Sequence, residues 1–193
     1  MNTTNPVESV ALDLLEQGDK TFNSREYSDA QALYVKCVDA AKVDNDNETL
    51  VQALAQVARC HLIQDKKEDG RVWLQQAEEL ADSNLSSGWS RFLGVRGRFE
   101  WKDDNLEIAT ATFIEMYDYC MEQSLHDRAV DAAHMVAITA KADQQILWAQ
   151  KGIAAAEAGD LDKWLGPLWN NLGWTYDDLG QYEESLEALL KAR

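Results

Sequence analysis

Residues 169–192 read WNNLGWTYDDLGQYEESLEALLKA, and the spacing inside this stretch decides the fold of the chain. Small residues stand at Gly173 and Ser185, twelve apart; the bulky Leu189 follows four later and Ala192 three after that. The i, i+4, i+7 step of Ser185, Leu189 and Ala192 is one buried stripe of a helix. A preceding helix that carries Gly173 can lie against it. Two antiparallel helices joined by a short turn approach closely only where side chains are small, and bulky neighbours then fill the holes beside them.

The same pattern recurs upstream, as Gly18, Ala30, Tyr34; Ala58, Gly70, Leu74; Gly97, Ala109, Phe113; and Ala137, Ala149, Ile153. Cys37, Ala77, Met116 and Ala156 occupy the fourth position of these copies. The small-to-small interval is always twelve, whereas successive copies are offset by 40, 39, 40 and 36 residues. Fixed hairpins with variable junctions are what a stacked array requires. In the fourth copy a shift by one would put Trp148 in the small column; Ala149 is preferred because Ile146 and Ile153 then also fall on the stripe. Hairpins are expected over 7–43, 49–82, 88–124, 127–159 and 162–193, with residues 1–5 frayed. Residues 44–48 and 83–87 read as linkers, the fourth turn as 143–144, and 160–165 as the lead into the last copy.

Trp169, Leu172, Gly173 and Tyr176 also spell W-x2-L-G-x2-Y, the opening of a tetratricopeptide repeat. The chain resembles that family, with Ser185 where the family usually has Ala and Leu189 where it usually has an aromatic. The resemblance implies an all-α, right-handed superhelical solenoid of about five helical hairpins, about ten antiparallel helices, forming a single domain. It further implies a protein- or peptide-binding scaffold whose first helices line a concave groove. The offsets near 40 exceed the family's period of about 34, so longer second helices are expected.

Composition narrows the partners. With 18 Lys and Arg against 34 Asp and Glu, the net charge of −16 repels nucleic acid and anionic lipid, whose binding depends on basic side chains. Cys37, Cys60 and Cys120 are widely spaced and odd in number, which suits buried thiols in a reducing compartment. The N-terminal stretch lacks a basic segment followed by an apolar one, and no apolar run approaches the ~18 residues of a membrane span. A cytoplasmic protein is the expectation. Leu186, Leu189 and Leu190 leave an apolar edge on the last helix, which a solenoid normally covers. Either the chain is the front of a longer protein, such as a peptide-sensing segment of a signalling or transcription factor, or this hairpin meets another copy.

Catalytic and metal motifs are missing. DNDNET at 44–49 alternates acids like a calcium loop, but Thr49 and Ala55 stand where that loop needs Gly and Glu. Asp103, Asp104 and Asn105 read as helix caps. His61, His126 and His134 are scattered without ligand spacing, and neither GxSxG nor a glycine-rich phosphate loop occurs. No enzyme and no cofactor are therefore expected.

Charge supplies the irregularity. Arg91, Arg96, Arg98 and Lys102 face one acid, Glu100, within residues 89–102. By the resemblance, the residue after each first-helix small position lines the groove: Asp19, Arg59, Arg98, Ile138 and Trp174, followed a turn later by Phe22, Leu62, Trp101, Lys141 and Asp177. Arg59, Arg91, Arg98, Lys102 and Lys141, with Trp101, Trp174, His134, Asn170 and Asn171, thus form a candidate site for an acidic or C-terminal carboxylate segment, gripped by guanidinium forks. The alternative is that these cations merely neutralise nearby acids. His134 is set to face the groove, with Asp131 orienting it. Trp101 and Trp174 either stack on a peptide or pack between first helices. A Lys and Asn carboxylate clamp known in the family is not carried over, because Ala55 and Val95 occupy two of its polar places.

Overall fold

A computed structural model describes residues 9–193, and the described residues are helical with no strand. The helices are α1 (Val10–Asn23), α2 (Tyr27–Asp44), α3 (Asn47–Ile63), α4 (Lys67–Leu80), α5 (Ser86–Lys102), α6 (Leu106–Glu122), α7 (His126–Thr139), α8 (Ala142–Ala158), α9 (Asp162–Asp178) and α10 (Tyr182–Lys191). The expected frayed stretch and helix start at Val7 lie outside the described residues.

One turn design joins most of these rods. After α1, α2, α3, α5, α6, α8 and α9 a single residue takes the left-handed conformation: Arg25, Asn45, Asp65, Asp104, Ser124, Asp160 and Gly180. The next N–H then reaches back five residues, as from Glu26 to Thr21, Asn105 to Glu100 and Gln181 to Tyr176. This closure satisfies the last helical carbonyls. The residue that donates it is also the cap of the following helix, so three residues suffice to reverse the chain. The two exceptions leave α4 and α7 through extended backbone at Ala81 and Ala140.

Turn chemistry moves several expected boundaries. Asp44 belongs to α2, and α3 begins at Asn47 because Asp46 Oδ1 accepts the Thr49 N–H at 3.0 Å. The break before α5 falls at 81–85, and the fourth turn at Ala140–Lys141. Asp104 and Asn105 close a turn rather than cap by side chain: Asp104 is left-handed and Asn105 Nδ2 donates to Glu100 at 2.9 Å. Helix α9 starts at Asp162, before Pro167, whose missing N–H forfeits only one bond in the second turn.

The small columns do what their spacing requires. A Cβ on Gly18 would lie 2.6 Å from Tyr34, one on Gly97 2.6 Å from Phe113, and one on Gly173 2.7 Å from Leu189. In each case the ring or side chain sixteen residues on sits where the glycine has none. Tyr34 and Phe113 are fully buried as a result. The chain divides at Val95/Arg96, inside α5, into two compact units. In the first, α1 pairs with α2 and α3 with α4; in the second, α7 pairs with α8 and α9 with α10, while Gly97 seats the end of α5 on α6.

Candidate functional site

The candidate residues fall into one group in each unit. In the first, Arg91 on α5 donates from Nη1 and Nη2 to Oδ1 and Oδ2 of Asp19 on α1, at 2.7 and 2.8 Å. The Tyr34 hydroxyl donates to the same Oδ1 at 2.7 Å, and Gln56 Nε2 donates to Tyr34 Oη at 2.9 Å. Four helices are clasped by these four side chains. Burial opposes the Asp19 charge, but the Arg91 fork and its charge outweigh it and hold the carboxyl below its ordinary range. Burial and the Asp19 charge together push the Tyr34 phenol far up. The Arg91 fork is thus engaged by an internal acid. Arg59, from α3, lays its guanidinium over the Phe22 ring, 4.7 Å from the centroid.

In the second unit Arg98 Nη2 donates to both Asp131 oxygens, at 2.7 and 2.9 Å. The carboxylate expected to orient His134 thus also grips Arg98. His134, one turn along α7, enters a cleft of about 260 Å³ with Ala137, Ile138, Ala149, Leu168, Asn171 and Thr175. Burial lowers the His134 pKa, with Asp131 opposing and Arg98 reinforcing, so the imidazole is neutral at pH 7. Trp174, one turn beyond Asn171 on α9, is 57 % exposed. Trp101, Lys102, Lys141 and Asn170 are exposed too, but none of them lines the cleft.

The structure thus gathers His134, Ile138 and Asn171 and leaves Asn170 outside. Leu168 and Thr175 were not among the residues singled out, and Ala137 and Ala149 only as hairpin-packing positions; the i, i+3, i+7 spacing of Leu168, Asn171 and Thr175 is the signal that marks them as one face of α9. Small-molecule sites run to roughly 300–1,000 Å³, so this cleft suits one side chain of a larger ligand. It offers a neutral imidazole and an amide above an apolar floor, a set for hydrogen bonding and burial.

Comparison with known proteins gives the same architecture. Residues 166–192 match the tetratricopeptide repeat family model. No curated protein sequence matches the chain significantly. Among solved structures, BtubC (BKLC) from P. vanneervenii is similar, with a TM-score of 0.69 at 13 % identity, covering 95 % of this chain and 79 % of that one. A putative kinesin light chain from Podospora anserina with nearly identical TPR-like repeats aligns at a TM-score of 0.64 and 12 % identity, over 97 % of this chain and 96 % of that one; its Q17M form gives 0.65. At such identities the likeness speaks for the fold, and the repeat match for the sequence. The chain is an all-α repeat solenoid whose residues 166–192 match a tetratricopeptide repeat.

Proposed function

We propose that the chain is a non-enzymatic binding scaffold that takes a peptide segment along the first-helix face of its second unit. Tetratricopeptide-like folds generally mediate protein–protein interactions, and the observation that carries the reading to this face is the cleft between α7 and α9. His134 and Asn171 line it and Trp174 stands exposed nearby. An apolar side chain fills the cleft, and the exposed indole stacks on the flanking segment. Acidic character in the segment is read by Lys102 and Lys141, which are exposed at the end of α5 and in the turn after α7. Arg91 and Arg98 act instead as braces, since each holds an acid of its own unit.

Peptides selected from a displayed random library on the whole chain test this. Asn171→Ala and Trp174→Ala are expected to weaken selected peptides at least fivefold, and Lys102→Glu with Lys141→Glu to weaken acidic peptides more than neutral ones. Affinities unchanged by all four substitutions refute the reading.

A further inference from the structure

The α7–α9 cleft has a counterpart in the first unit that shows what such a place holds. Ile138 follows the small Ala137 as Asp19 follows Gly18, and Asn171 stands two residues before Gly173 as Gln56 does before Ala58. Ile153 fills the bulky column that Tyr34 fills in the first hairpin. The first unit gathers these positions as the cleft does: Gln56 Nε2 donates to Asp19 Oδ1 at 3.4 Å and to Tyr34 Oη at 2.9 Å. Upon them sits one side chain from another helix, the Arg91 guanidinium, 2.7 and 2.8 Å from the two Asp19 oxygens. The place is a receptor for a single side chain, and its lining decides which.

In the second unit that lining is rewritten. Ile138 replaces the carboxylate that holds the cation, and among the described residues the neutral His134 is the one titratable group that lines the cleft. Asp131, one turn before it on α7, is engaged by Arg98. A guanidinium or ammonium buried here would lose its hydration without gaining a counter-charge, and a carboxylate would meet no cation in the lining. The phenol is replaced as well. Tyr34 accepts from Gln56 and donates to Asp19, whereas Ile153 in its register ends in methyl groups. Among the described residues the Asn171 amide, in the Gln56 register, makes no side-chain hydrogen bond.

We propose that the cleft is the anchor pocket for a tyrosine of the bound segment and rejects Arg, Lys, Asp and Glu at that position. The ring is buried against Ala137, Ala149 and Leu168, and the phenol oxygen accepts from Asn171 as Tyr34 accepts from Gln56. The neutral His134 imidazole offers the acceptor for the hydroxyl proton, the part Asp19 plays for Tyr34. A site built to hydrogen-bond a hydroxyl discriminates against the side chain that lacks it, so phenylalanine is the weaker anchor. This inference rests on the second unit's reading as a peptide-binding face and adds which side chain that face selects.

Random peptides displayed and selected on the whole chain and on its Asn171→Ala variant locate the anchor, as the position enriched on the first and not on the second. The leading peptide is then synthesised with Tyr, Phe, Arg or Glu at that position and titrated by fluorescence anisotropy. Tyr is expected to bind at least threefold more tightly than Phe and at least tenfold more tightly than Arg or Glu. Ile138→Asp, at a position 44 % exposed, restores the carboxylate of the first unit. With helicity by circular dichroism unchanged, it should bring the Arg peptide to at least the affinity of the Tyr peptide. An Asn171-dependent anchor that prefers Phe, Arg, Glu or an aliphatic residue overturns the tyrosine assignment while the peptide-binding reading stands. So does an Ile138→Asp variant that leaves the Arg peptide behind the Tyr peptide. Should no selected position depend on Asn171 and Trp174→Ala be equally silent, the binding face and its anchor fall together.

Discussion

The clasp around Asp19 makes an asymmetric prediction. The Arg91 side chain is 16 % exposed and that of Asp19 33 % exposed, so the cation is the more deeply committed partner. Asp19→Asn leaves a mostly covered guanidinium facing a neutral amide; orphaning a buried charge costs about 3–5 kcal/mol, and residual solvent contact places this case near ~3 kcal/mol. Arg91→Met leaves a carboxylate that is partly solvated and still accepts from Tyr34 and Gln56, so the expected cost is about 1–2 kcal/mol. The double variant removes both charges and should recover to within about 1 kcal/mol of the parent. Urea unfolding followed by circular dichroism gives these values at pH 7, and hydrogen exchange of α1 to α3 assigns the loss to the first unit. The pH dependence follows in sign: the folded Asp19 pKa lies below its usual 3.8, so the folded state binds fewer protons and the stabilisation is complete above that value. It is lost as pH falls through the folded pKa, and the gap between parent and Asp19→Asn should narrow, not widen, as pH falls below 3.8. An Arg91→Met variant as costly as Asp19→Asn, or a gap that widens as pH falls below 3.8, refutes the reasoning.

Three further outcomes are expected. Arg25→Gly should raise stability by about 0.5–1 kcal/mol because the left-handed turn strains an L-residue, and Gly180→Ala should lower it by about 1 kcal/mol; thermal melts check both. Cys37, Cys60 and Cys120 are buried, and burial pushes the Cys37 and Cys60 thiols up to about 12, so a thiol reagent should label the chain only as it unfolds. His134 should titrate below 6.5 by NMR; because its folded pKa is depressed, its contribution to stability is full above 6.5 and is lost as pH falls below it, and His134→Gln should flatten that slope.

How much of this was legible depends on what each feature is made of. The hairpin register is steric, and steric fit leaves residue types behind: Gly97 is small because Phe113 occupies its side-chain space, and the two are always sixteen apart. The turns are backbone features. Among the described residues only Gly180 of the seven left-handed positions is a glycine, so Arg25 and Ser124 carried no signal that placed a helix end, and the linker at 44–48, where only 45–46 lie outside the helices, was drawn too long. The site was half legible for a third reason. Spacing puts Arg59, Arg91 and Arg98 on first helices, but which cation a neighbouring acid consumes is set by stacking, and Arg91 finds its partner 72 residues away.

The columns of a repeat nevertheless separate scaffold from function. Gln31, Arg71, Thr110, Gln150 and Leu186 hold one position in the five hairpins, and Gln31, Thr110 and Gln150 each meet a partner in the following first helix. In an array built by repetition a column holds what stacking demands, and the chain's own specificity is written where a column varies: at the position after the first small residue, Asp19 and Arg98 are engaged by ion pairs within their own units, whereas Trp174 in the same column stays 57 % exposed.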